Sequence, residues 1–231
     1  RALIALSVAE LSHGNFPAAA EMALLAAELT ARPEHCRMVA ALATGYAGDL
    51  DAAAAVNAMV VPPGGITQRA EWEYTAAELA SIGGRHRDAE QHYRNAIELA
   101  SSVGSSFVVG IASVGLLTVL RSTGRHADAL HGYRDVLEYW QQAGNWIQAW
   151  TTLRNLASLL AELGDDDSAR RLLDLADRAP DAPAVGASAW ARPSLAPTTA
   201  ASTATAPTRH EAMSLALGAI DRHSAATGRW R

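Results

Sequence analysis

Apolar positions along this chain recur at three- and four-residue steps, and single glycines interrupt the rhythm at intervals. Residues 84–100, GRHRDAEQHYRNAIELA, return 40 positions later as GRHADALHGYRDVLEYW at 124–140. A Gly followed five positions on by Ala occurs at Gly14/Ala19, Gly48/Ala53, Gly84/Ala89, Gly124/Ala129 and Gly164/Ala169, with glycine intervals of 34, 36, 40 and 40. Nine residues after each glycine stand Ala23, Asn57, Tyr93, Tyr133 and Leu173; twelve after stand Ala26, Val60, Ala96, Val136 and Ala176. The apolar spacing predicts helices near 2–13, 16–31, 34–46, 49–60, 67–82, 86–103, 105–123, 126–143, 145–163 and 166–178.

The repeated residues have a physical reading. Glycine ends one helix because it takes positive φ without a side-chain clash. Asn15, Asp49, Arg85, Arg125 and Asp165 then open the next helix. The alanine five residues on is small because two helices cross closely there, and the later apolar positions share its face at i, i+4 and i+7. Each unit is a helix–turn–helix hairpin that buries its face only against neighbours, so an array is expected. VVPPGGITQ at 60–68 breaks it, since Pro62-Pro63-Gly64-Gly65 stops a helix.

The Gly-x4-Ala-x3-Tyr-x2-Ala/Val spacing at Gly84, Ala89, Tyr93, Ala96 and at Gly124, Ala129, Tyr133, Val136 resembles the tetratricopeptide repeat. That resemblance implies an all-α, right-handed α-solenoid of about five hairpins spanning 1–178, with the first helix of each unit on the concave, partner-binding surface. The chain departs from the family pattern in its first helices, at Asn57, and in its 40-residue units. Six added residues lengthen each of two helices by roughly 4.5 Å.

Composition narrows the functional classes. All 19 basic residues are Arg, and the net charge is −5, opposite in sign to a phosphate-backbone binder. An all-Arg basic set reads as the codon bias of a GC-rich, actinobacterial genome. Cys36 has no partner for a disulfide or thiolate metal site, and with no signal peptide this predicts a cytoplasmic protein. FVVGIASVGLLTVL at 107–120 is too short to span a bilayer and reads as a core helix. The opening RALIALSVAELS lacks Met and is already helical in rhythm, which reads as a fragment of a longer protein. Residues 179–208 are rich in Ala, Pro, Ser and Thr, and are expected to be a disordered linker. Helical spacing returns at 209–225, with Met213, Leu215, Leu217 and Ile220 near one face. On a flexible tether reaching roughly 30 Å, that helix could dock on the array.

No phosphate-binding loop, zinc-protease motif or serine-nucleophile motif is written in the chain. His86 and His126 recur at turns, and His92 and His131 follow on the next helices; solvent-exposed histidines are expected rather than metal ligands. Asp165-Asp166-Asp167 opens a helix, where acids satisfy free amides and suit the helix dipole. No catalytic residue, metal or cofactor is expected. Trp140 and Trp150 read first as packing between long hairpins. Trp150 and Arg154 also share a helix face, pairing a flat apolar surface with a bidentate donor. Trp146, Trp150, Arg154 and Asn155 are therefore the leading candidates for partner binding, with Arg121 and with Glu71, Tyr74 and Glu78 at comparable places on earlier first helices.

GNWIQAWTTLRNLASLLAELGDDDSA followed by APDAPAVG resembles the C-terminal helical-repeat region of large actinobacterial regulators, AfsR-like, LuxR-like and cyclase-linked. That likeness, spanning about 84–186 and the final helix, implies the regulatory arm of an ATP-dependent transcriptional regulator. Its partners would be a protein or peptide, its own upstream domains, or a small-molecule inducer, with no direct nucleic-acid or membrane contact. A freestanding adaptor holding a peptide in its groove is the alternative.

Overall fold

The computed structural model describes residues 2–60, 64–183 and 208–227. The helices are α1 (Ala2–Ser12), α2 (Phe16–Glu28), α3 (Glu34–Tyr46), α4 (Leu50–Ala58), α5 (Ile66–Ile82), α6 (His86–Ser102), α7 (Ser106–Ser122), α8 (His126–Ala143), α9 (Trp146–Glu162), α10 (Asp166–Arg178) and α11 (Arg209–Thr227). No strand occurs among the described residues. The all-α hairpin architecture implied by the repeat is the one the chain adopts. Pro62 and Pro63, and the expected linker from 184 to 207, lie outside the described residues.

Every repeat glycine sits where the chain reverses, at φ between 70° and 98° for Gly14, Gly48, Gly84, Gly124 and Gly164. Gly104 and Gly144 have the same left-handed geometry, at φ 68° and 67°. They fall midway between the repeat glycines, so from Gly84 to Gly164 a glycine closes a helix every 20 residues; Gly144 is followed by Ala149 in the same Gly-x4-Ala spacing, whereas Gly104 is followed by Val109. Helices α5 to α9 accordingly run 17 or 18 residues, against 9 to 13 for α2 to α4. Ala19, Ala53, Ala89, Ala129 and Ala169 are all fully buried, as a close helix crossing requires. Asn57 and Leu173 are the exceptions among the repeat positions: both are half-buried, and beside Leu173 its neighbour Leu172 fills the core instead.

The chain divides into two compact units, Arg1–Val119 and Leu120–Arg231. In the first, α1 pairs with α2, α3 with α4 and α5 with α6, and α3 packs on both α2 and α5. Its core is built from small residues. Ala77, Ala80, Ala89, Tyr93, Ala96, Ala112 and Val119 form one cluster, and Ala23, Val39 and Ala40 another. Close approach is enforced at Gly45, where an added Cβ would meet Leu79 Cδ2 at 2.5 Å. Cys36 is buried on α3.

In the second unit α9 packs on α8 and α10, and α11 lies against α8, α10 and, less extensively, α9. The face α11 buries is Ala212, Met213, Ala216, Ala219 and Ile220, at helical spacing. Leu215 and Leu217, expected on that face, are only half-buried because the small alanines let the helix sit closer. No described helix is long and apolar enough to cross a membrane.

Candidate functional site

The α9 residues expected to receive a partner are occupied by the chain itself. Trp150 is fully buried, and its indole Nε1 donates to Asp181 Oδ1 at 2.8 Å. Arg154 is 4% exposed. Its Nη1 donates to the Pro183 carbonyl at 2.9 Å, and its Nη2 to the Ala176 carbonyl and Asp177 Oδ1, both at 3.1 Å. Ala176 is among the last carbonyls of α10, which no helical amide satisfies and which favour a cation. Arg154 therefore caps a helix end and anchors the stretch after it.

The α11 N-terminus closes the same face. Arg209 donates to Asp181 Oδ2 through Nη2 at 2.6 Å and Nε at 3.1 Å, and its guanidinium lies 4.9 Å from the Trp146 ring centroid. Trp146 and Trp150 rings are 6.3 Å apart. Burial pushes the Asp181 carboxyl up, and the Arg209 and Trp150 hydrogen bonds and the Arg209 charge outweigh it, so its pKa falls below the ordinary value. Trp150 and Arg154, expected on a partner-binding surface, are buried here and bond residues 176, 177, 181 and 183 of the chain itself. Trp146 and Asn155 are half-buried. Arg121 pairs with Glu162 at 3.7 Å rather than standing free.

At the other end of α10, Asp165 caps the helix by accepting from the Ser168 amide at 3.1 Å. His223 and Arg222 of α11 approach the other carboxylate oxygen at 3.3 and 3.5 Å. Here too burial raises the pKa and hydrogen bonds from Ser168 and His223, with the Arg222 charge, bring it below the ordinary value. Arg134 pairs with Asp221. Asp166 and Asp167 make i,i+4 pairs with Arg170 and Arg171.

The α5 face of the first unit is arranged differently. Glu78 accepts from Tyr46 Oη at 2.5 Å on Oε2 and from Tyr93 Oη at 2.6 Å on Oε1, and the Tyr74 phenol also acts on the carboxyl. Glu78, Tyr46 and Tyr74 are half-buried and Tyr93 is fully buried, so the phenols and the carboxyl form a partly exposed cluster with the Tyr93 ring as its floor. Tyr74 and Tyr93 centroids are 6.4 Å apart, and Phe16 lies 5.4 Å from Tyr46. Gly115 on α7 makes room for the floor, since a Cβ there would collide with the Tyr93 ring. Burial raises the Glu78 pKa, and the phenols around it only partly offset it; no cation among the described residues acts on the group. The tyrosines in turn are pushed well above their ordinary range, by burial first and by the Glu78 charge second.

Two further carboxylates on α5 are matched to histidines. Glu71 meets His35 at 3.3 Å, and that hydrogen bond lifts the histidine pKa despite burial. Glu73 meets His92 at 2.7 Å and Asn95 at 3.3 Å. His92 is thus an ion-pair partner rather than a solvent-exposed histidine, and His86 and His126 are half-buried because each opens a helix against its hairpin partner's end. His131 is exposed. Among the described residues, no three His, Cys, Asp or Glu side chains converge on a metal-sized site.

Glu71, Tyr74 and Glu78 were legible as one helix face; Tyr46 and Tyr93 as partners of Glu78 were not. Tyr93 reads as a core residue of the repeat, and its hydroxyl donates to Glu78. Tyr46 lies two residues before Gly48 and Glu78 six before Gly84, which places them a turn apart on neighbouring first helices. That register was the available signal. Asp181 and Arg209 carried no signal, because both fall outside the repeat.

Residues 108–176 match the family described as tetratricopeptide repeat. The match spans α7 to α10 and less than half of the chain. No curated protein matches the chain.

Proposed function

We propose that this chain is a non-catalytic protein-interaction module that receives its partner on the α5 face of the first unit, through Glu71, Tyr74 and Glu78. Repeats of the matched family generally mediate protein–protein contacts, which supports the coarse reading. One observation selects the face: Arg154 on α9 bonds the chain's own residues 176, 177 and 183, whereas Glu78 on α5 has only neutral phenols around it. Charge reversal at Glu71 and Glu78 abolishes partner capture in this reading, while Arg87→Glu on exposed α6 surface leaves it intact. Equal capture by both variants contradicts it.

Within that reading the chain serves as the regulatory arm of a larger ATP-dependent transcriptional regulator of the actinobacterial kind, acting from the cytoplasm. The support is the phrasing of residues 139–186 and the all-Arg basic set. The partner is then the upstream part of the same polypeptide, with a small-molecule inducer shifting the balance between two arrangements. Reading the gene upstream of the Arg1 codon tests it. An in-frame Gly-x4-Gly-Lys-Ser/Thr loop supports the regulatory arm, and a start codon without one supports a freestanding adaptor that takes its partner in trans.

A further inference from the structure

We propose that the Glu78 pocket recognises an organic cation, the guanidinium or ammonium group of an Arg or Lys side chain carried by the partner. This rests on the reading that the α5 face receives a partner, and it names the chemistry that the face selects. Tyr46 and Tyr93 turn their hydroxyls onto the carboxylate, Tyr74 lies 6.4 Å from Tyr93, and Phe16 lies 5.4 Å from Tyr46 in a tilted contact. Aromatic rings beside a carboxylate are the chemistry that attracts a cation, through the ring quadrupole and the full negative charge together.

The argument turns on what the pocket lacks and what it retains. A buried carboxylate is costly unless it is paired with a cation or protonated. Glu71 and Glu73, on the same helix, have His35 and His92. Glu78 has the Tyr46 and Tyr93 phenols, which donate hydrogen bonds and supply no charge, and no cation among the described residues acts on it. An ionised carboxylate offers about four lone-pair sites, so the two phenol bonds leave acceptor sites open and the charge unneutralised. The pocket is also rigid. Gly45 brings α3 close enough to α5 for Tyr46 to reach, and Gly115 seats the Tyr93 ring. The donors are thus fixed before a ligand arrives, which lowers the ordering cost of binding.

The experiment uses the full chain labelled with ¹³C in its tyrosine rings. It is titrated with the capped pentapeptide Ala-Ala-Arg-Ala-Ala and with a twin in which citrulline, neutral and nearly isosteric, replaces Arg. A Lys peptide and its norleucine twin separate ammonium from guanidinium. The expected result is a saturable shift of the Tyr46, Tyr74 and Tyr93 signals with a cationic peptide, weakened about tenfold or more in its neutral twin. Glu78→Gln abolishes the shift without lowering the melting temperature. Tyr74→Phe, which keeps the ring and leaves the Tyr46 and Tyr93 bonds to the carboxylate in place, retains it and supplies the test should Glu78→Gln fail to fold. Equal binding of cationic and neutral twins, a shift that survives Glu78→Gln, loss of binding in Tyr74→Phe, or no shift with either cationic peptide overturns the assignment. Partner capture by the charge-reversed α5 face is measured separately, so failure of the cation site and failure of the α5 interface are distinguishable.

Discussion

Tyr74 and Glu78 of α5 occupy the repeat positions that Arg154 and Ser158 occupy in α9, ten and six residues before the turn glycines Gly84 and Gly164. The two faces have opposite fates. In α9 the charged group is Arg154, and its charge is met by the Asp177 carboxylate and two carbonyls of the chain that follows, with Nε left without a hydrogen bond. In α5 the charged group is Glu78, and both its oxygens accept hydrogen bonds while no cation among the described residues meets its charge. Hydrogen-bonding and charge neutralisation are separate requirements. A charge met within its own chain serves the fold, and an unmet one is what the proposed cation site rests on.

The carboxylates carry the same contrast. Asp165 and Asp181 in the second unit lie against Arg222, His223 and Arg209, and their pKa values fall below the ordinary aspartate value. Glu78 lies among phenols, and its value rises.

The contrast breaks most visibly if α9 is emptied. Trp150→Ala removes a fully buried ring and leaves Asp181 without its indole donor, so a loss of about 3–5 kcal/mol is expected, seen as faster hydrogen exchange across α9 to α11. Arg154→Ala removes charge-assisted bonds from a buried site and is expected to cost about 1.5–3 kcal/mol in the same measurement. A binding residue on a solvated surface would cost almost nothing. In the first unit, Gly45→Ala forces α3 away from Leu79, with an expected loss of about 1–3 kcal/mol and a weakened Tyr46–Glu78 bond.

Acid–base behaviour sharpens the comparison, because the two units respond in opposite directions. The folded pKa of Glu78 lies above its ordinary value of 4.5, so its contribution is fully present below that value and is lost as pH rises through the folded value. Glu78→Gln is therefore expected to raise the neutral-pH melting temperature and to flatten the decline above pH 4.5. Asp165 has a folded pKa below its ordinary 3.8, so its contribution is present above 3.8 and is lost as pH falls through the depressed folded value. Asp165→Asn is expected to lower stability at neutral pH and to speed exchange of the α11 amides. The smallest effect belongs to Arg94→Ala: its exposed i,i+4 pair with Glu90 contributes at most about 0.5 kcal/mol, a change near the limit of a thermal melt.

Much of this architecture is legible in the chain itself, for particular reasons. Ala19, Ala53, Ala89, Ala129 and Ala169 mark the hairpin crossings because only a small residue fits there, and all are fully buried. The helices follow from the spacing for the same reason. Gly104 is less legible, because Val109 rather than an alanine stands five residues on, whereas Gly144 with the buried Ala149 carries the same spacing as the repeat glycines. Trp150 and Arg154 were visible as a pair on one face, yet helix periodicity does not say whether that face meets solvent or a later stretch of the same chain. Asp181 and Arg209, which close it, lie outside the repeat, where no periodicity constrains them. Glu78 was placed on its face by spacing alone, but its phenol partners come from α3, α5 and α6, and only the packed fold brings them together.

The ionisation of Glu78 tests the central claim most directly. A ¹³C titration of the side-chain carboxyls in the whole chain reads Glu78, Asp165 and Asp181 in one experiment. The account predicts a Glu78 midpoint above 4.5, with Asp165 and Asp181 midpoints below 3.8. A Glu78 midpoint at or below 4.5 would mean that its charge is already met within the chain, and would contradict the distinction drawn between the α5 and α9 faces.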